Sequence, residues 1–102
     1  MYELKITSAA VKDFDESVNY LVNVLCNKKA AKDLADAFHQ CQLALKANPF
    51  IYSLCTDECL SNLGYRRAIL KNYIVVFKIE QSRRKVTILR LFHGSRKYQD
   101  LL

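Results

Sequence analysis

Residues 89–102, LRLFHGSRKYQDLL, place a histidine, two basic residues and a tyrosine within six positions, directly after a run patterned like a buried strand. Histidine exchanges a proton near neutral pH, so His93 is a candidate acid or base. Arg96, together with Arg66, Arg67 and Arg90 upstream, offers planar forks that grip phosphate or carboxylate. Lys71 and Lys97 add compact charges. Tyr98 can stack on a base or donate a proton, and Glu58 is a weaker second candidate for a base. This is chemistry for an anionic target, with proton transfer and charge stabilisation both available in principle.

Each residue also has a plainer reading. His93 can cap a strand, in phase with Leu89 and Leu91. Tyr98 can anchor a packing tail, with Leu101 and Leu102 returning to the core. Glu58 stands beside Asp57 in an expected loop. Arg83 and Arg84 fall in an expected turn, where solvated charge is the ordinary outcome. Consecutive strand residues face opposite ways, so of Arg66 and Arg67 one at most points at a given site.

The charge distribution is one-sided. Residues 1–51 balance six lysines against six acids, whereas residues 52–102 hold four lysines and six arginines against four acids, so the whole net charge of +6 lies in the second half. An anionic partner is implied, either nucleic acid or an acidic protein segment. At 102 residues, 51% hydrophobic, with two glycines and one proline, the chain has the size and profile of a single compact soluble domain spanning residues 1–102. No apolar run approaches the roughly 20 residues of a membrane span, so no membrane partner is expected. The N-terminal run alternates rather than forming a secretory apolar region, which favours the cytoplasm. Cys26 and Cys41 fall in helical patterns, and Cys55 and Cys59 form the one close pair. Without further ligands at metal-binding spacing, neither a metal site nor a cofactor is expected.

The elements that must position these residues follow from periodicity. Tyr2 to Thr7 alternates like a half-buried strand, with Ser8 as the expected N-cap of the next element. Val11, Phe14, Val18, Leu21 and Leu25 describe one helical face, and Ala31, Leu34, Phe38, Cys41 and Leu45 a second, ended at Asn48-Pro49. YRRAIL, YIVVFKIE and VTILRLFH read as three strands of an antiparallel meander. The first two are joined by Lys71-Asn72, where asparagine is expected to take the positive φ. The predicted fold class is α+β: an N-terminal strand that can join the sheet, a helical hairpin across one face, the meander, and a short C-terminal segment.

The runs YELKITSAAVKDFDESVNYLVN, NPF, LGYRRAILKNYIVVFKIE and VTILRLFHGSRKYQDLL, in that order, resemble the RelE/ParE superfamily of bacterial type II toxin-antitoxin modules. The resemblance implies the same α+β fold and a growth-inhibiting toxin, of the kind linked to plasmid stabilisation, held inactive by a cognate antitoxin. It also implies one of two actions. RelE-like members are metal-independent endoribonucleases that act on mRNA in the ribosome, and ParE-like members inhibit DNA gyrase without chemistry of their own. Ribosome-dependent mRNA cleavage is the preferred expectation, with His93, Arg66, Arg96 and Tyr98 as the catalytic set. Arg67, Arg90, Lys97 and Lys71 would bind RNA or target, and Glu58 would be the possible base. The departure is Ile74, standing where RelE-like ribonucleases carry an arginine. A non-toxic basic binding module is the remaining alternative. An acidic, partly disordered antitoxin segment is expected to order on the basic sheet half or the helical hairpin.

Overall fold

The computed structural model describes residues 1–94; Arg96, Lys97, Tyr98, Leu101 and Leu102 lie outside the described residues. Strand β1 (Glu3–Ile6) turns Leu4 and Ile6 to the core and leaves Glu3 and Lys5 outward. Helix α1 (Ser8–Asn19) runs into a π-helical turn at Tyr20–Val24, and Cys26, at φ 51°, closes it. Helix α2 (Lys28–Ala47) buries the stripe Ala31, Leu34, Phe38, Cys41 and Leu45, as its spacing predicts. The two helices meet through stacked rings of Phe14 and Phe38, 5.0 Å apart. Asn48 is extended and Pro49 opens a short 3₁₀ turn, so α2 stops there.

Three local expectations change. Thr7, not Ser8, caps α1: its backbone is extended and its hydroxyl accepts from the Ala10 amide at 3.1 Å. In the Lys71-Asn72 turn the positive φ, 56°, falls on Lys71 rather than on the asparagine. The segment expected as a loop around Asp57 and Glu58 also contains a short helix, α3 (Glu58–Asn62), capped by the Asp57 side chain.

The sheet comprises β2 (Arg66–Leu70), β3 (Tyr73–Glu80), β4 (Lys85–His93) and β1, in the order β1-β4-β3-β2. The meander is antiparallel as expected, and β1 joins it parallel to β4, with Leu4 opposite Val86 and Ile6 opposite Ile88. One face carries the helical hairpin over Ala68, Val75, Phe77, Val86, Ile88 and Leu91. The other face carries a smaller layer, in which Cys55 and Leu60 cover Val76 and Phe92.

A β-bulge resets the alternation of β4. Ile88 pairs with Phe77 and Arg90 with Val76, which leaves Leu89 as the inserted residue. Ile88 and Leu91, three apart, therefore both face the helices, while Leu89 packs on the opposite layer. His93 keeps phase with Leu91 but not with Leu89, because the strict period of two fails at the bulge.

Among the described residues no helix is long and apolar enough to cross a membrane. All four cysteines are free, with Cys41 and Cys55 buried and Cys26 and Cys59 exposed. Burial pushes the Cys41 thiol up to about 11, against a smaller downward pull from its hydrogen bond with Tyr52. The folded thiol keeps its proton where the unfolded one has lost it, so this contribution to stability is complete below pH 9 and declines as pH rises toward 11. Alkylation of native protein at pH 8 should label Cys26 and Cys59 and spare Cys41 and Cys55 until denaturant is added, as intact-mass spectrometry would read. Denaturant midpoints should fall between pH 9 and 11 in the native chain and less so in Cys41→Ala.

Candidate functional site

The bulge leaves the edge of β4 beyond β1 with backbone groups that no strand covers, and α1 supplies their partners. The Thr7 amide donates to the Ile88 carbonyl at 3.1 Å, and the Thr7 hydroxyl donates to the Leu89 carbonyl at 2.7 Å. Further along α1, Asp13 accepts from the Leu91 amide at 3.0 Å. The same carboxylate accepts from Arg90 Nε at 2.7 Å and Nη2 at 3.0 Å, a bidentate pair. Asp13 is 11% exposed and Arg90 29%. The hydrogen bond from Arg90 to Asp13 holds the guanidinium above its ordinary value, against a smaller opposing effect of burial. Arg90 also lies over the Phe92 ring, 4.8 Å from its centroid. It is thus committed to α1 and β4 on two sides.

The other sequence-nominated residues are dispersed. Arg66, on the helix-facing side of β2, donates to the Tyr52 carbonyl at 2.6 Å and sits 5.1 Å over the Phe50 ring, so it ties the segment after α2 to the sheet edge. Arg67 points to the other side of the sheet, where its charge is felt by buried Cys55. His93 meets Tyr73 edge to face, ring centroids 5.3 Å apart, on the helix-facing side. Glu58 opens α3 on the opposite side. Lys71, at the hairpin turn, reaches Asp33 on α2 at 3.4 Å. A hydrogen bond from Lys29, with the added charge of Lys71, holds the Asp33 carboxyl below its usual range.

The register measures this dispersal. Arg66 stands opposite Phe77 and His93 opposite Tyr73, four positions apart along β3. That is about 13 Å at ~3.3 Å per residue, before two strand spacings of about 4.8 Å are added. The structure brings His93, Tyr73 and Lys71 together and keeps Arg66, Arg67 and Glu58 away from them. Arg96, Lys97 and Tyr98 lie outside the described residues. Among the described residues there is no group of three or more side chains able to hold a metal.

His93, Tyr73 and Lys71 stand at one wall of a groove of about 520 Å³ between the helical hairpin and the β2–β3 turn. Leu21, Leu34, Leu70 and Leu91 contribute its apolar lining, and Glu16 and Asp33 its acidic one. Sequence reasoning missed the two residues with the most structural consequence here, Asp13 and Thr7. Asp13 is one of three acids in KDFDE, and nothing in the spacing distinguishes it.

Comparison with known proteins places this architecture. Residues 4–98 match the model of the ParE toxin of type II toxin-antitoxin systems, parDE. The chain belongs to that family, and so to the RelE/ParE superfamily of toxins. Among solved structures, the chromosomal ParDE toxin-antitoxin system of P. aeruginosa is similar at TM-score 0.71 and 21% identity, covering 91% of this chain and 96% of that one. The RelBE2 complex of Mycobacterium tuberculosis is similar at TM-score 0.55 and 17% identity, covering 90% and 96%. The conserved protein HP0894 of Helicobacter pylori is similar at 0.55 and 16%, covering 94% and 98%. At these identities the structures share the fold. No match was found among curated proteins.

Replacing Asp13 by alanine should cost roughly 3 kcal/mol, since it strands a half-buried guanidinium and an amide. Urea denaturation of Asp13→Ala, Arg90→Ala and the double variant should give a coupling energy above about 1 kcal/mol, with the double variant little worse than Asp13→Ala alone.

Proposed function

We propose that this toxin acts by binding and blocking DNA gyrase rather than by cutting mRNA. The observation that carries the reading is the separation of Arg66 from His93. Metal-free cleavage at a ribose 2′-hydroxyl needs a proton-transfer group and cations around one phosphate. Here Arg66 serves the Tyr52 carbonyl, Arg90 serves Asp13, and His93 lies at the far end of the register. Ile74 adds support. Where RelE-like ribonucleases carry a strand arginine, this chain packs an isoleucine against the layer of Val76 and Phe92.

Membership in the ParE family supports the same choice between the two actions. Arg67 and Lys71 are the proposed target contacts among the described residues, with Lys97 as a further contact beyond them. The partner that restrains the toxin is a cognate antitoxin with acidic segments, drawn by the excess charge of the second half. The ParDE and RelBE2 structures, each described as a toxin-antitoxin system or complex, support that partner.

Purified toxin should inhibit supercoiling by purified gyrase while leaving ribosome-bound mRNA intact in a primer-extension assay run in parallel. Arg67→Glu should raise the concentration for half-inhibition about tenfold, the loss of ~1.4 kcal/mol of binding. New mRNA 5′ ends that appear with the native toxin and vanish in His93→Ala, with supercoiling unaffected, would reverse the assignment.

A further inference from the structure

Strand β2 is the outer edge of the sheet, and only the first part of that edge is covered. The chain ahead of α3 lies against it there: the Arg67 amide donates to the Ser53 carbonyl at 3.1 Å, and the Tyr65 carbonyl accepts from the Cys55 amide at 2.9 Å. Main-chain groups of an antiparallel strand alternate, one residue bonding to the inner neighbour and the next pointing out. Tyr65 and Arg67 point out, so Ile69 and Lys71 do as well. Among the described residues, no hydrogen bond from beyond β2 reaches the carbonyls of Arg67 and Ile69 or the amides of Ile69 and Lys71. These two donors and two acceptors lie along about 13 Å of open edge, at ~3.3 Å per residue.

The side chains beside this stretch are as specific as its backbone. Ile69 is 61% exposed on the face away from the helices, across from Ile74. A shallow pocket of about 250 Å³ opens next to it, walled by Ile69, Ile74 and the Lys71-Asn72 turn. Arg67 shares that face, and no carboxylate among the described residues forms an ion pair with it. Lys71, on the other flank, shares the single carboxylate of Asp33 with Lys29, so positive charge is left over there too. Open donors and acceptors call for an extended segment, the pocket for an apolar side chain, and the two cations for acids around it. A second copy is a poor occupant. Laying β2 against β2 sets like charges against one another, and Ser53 blocks the line beyond Ile69.

We propose that the open half of the β2 edge receives a short extended segment of the cognate antitoxin. It pairs with the main chain of Ile69 and Lys71, places an apolar side chain in the pocket, and turns acidic residues toward Arg67 and Lys71. The inference rests on the reading that an antitoxin with acidic segments restrains this toxin, and adds where one such segment binds and in what form. Because Arg67 is also a proposed gyrase contact, a strand added here covers part of the surface that meets the target.

The test compares full-length toxin, labelled for NMR, free and in complex with its antitoxin. In the free toxin the Ile69 and Lys71 amides should exchange fast while Ala68 and Leu70 are protected, and in the complex exchange at Ile69 and Lys71 should slow at least ~100-fold. Ile69→Pro deletes the central donor at a position where an edge strand accepts proline, and should weaken antitoxin binding about tenfold by calorimetry. Ile69→Lys keeps the donor but puts charge at the pocket, and should weaken binding several-fold with strand protection intact. Tight binding with Ile69 and Lys71 exchanging as in the free toxin would overturn this strand and leave the antitoxin reading standing; no binding at all would overturn both. Protection of Ile69 already present in the free toxin would also overturn the proposal, assigning the edge to a second copy if it grows with concentration and to the chain itself if it does not.

Discussion

A single carboxylate holds the two layers of this fold in register. The inserted Leu89 shifts the phase of Arg90–His93, which stay paired with β3, and β1 ends at the level of Ile88. Beyond that level the sheet has an edge with exposed backbone groups, a costly state next to a core. Helix α1 covers it with Thr7 at its start and Asp13 one and a half turns on. Asp13 joins a main-chain amide and a guanidinium in one contact, so the helix can take only one position along the strand. The placement of Phe14 against Phe38, and of α2 behind it, depends on that position.

The clamp also explains why the arginines among the described residues do not converge on one site. Arg66 and Arg90 are structural cations, each satisfying a carbonyl or carboxylate and lying over a phenylalanine ring. Further positive charge lies on the face opposite the helices, where Arg67 also points. There Lys5, Thr87 and Lys78 stand abreast on three neighbouring strands, below the layer covered by α3. A spread of that kind attracts an anionic surface without fixing any one phosphate.

Much of this was legible in the chain. The α2 stripe, the helical hairpin and the meander follow from spacings of three, four and two, because in each case one face is buried and the other is not. The parallel pairing of β1 with β4 was not legible, since partners some eighty residues apart leave no local mark. The bulge was hidden for a different reason: Ile88, Leu89 and Leu91 are all apolar, so either phase of the strand looks equally good. Arginine type signals an acceptor or an anion, and the Asp13 carboxylate and the Tyr52 carbonyl oxygen satisfy that within the fold. Which partner an arginine takes is decided by tertiary placement that the sequence pattern does not display.

The pairing of β1 with β4 has a consequence in time. The sheet closes between Leu4 and Val86 and their neighbours, and the Arg90 to Asp13 contact forms between residues 77 positions apart. During synthesis the helical hairpin can collapse early, but β1 has no strand to join until β4 has left the ribosome. The sheet therefore stays incomplete until β4 has been made, and β1 waits with one edge unpaired through the synthesis of everything between them.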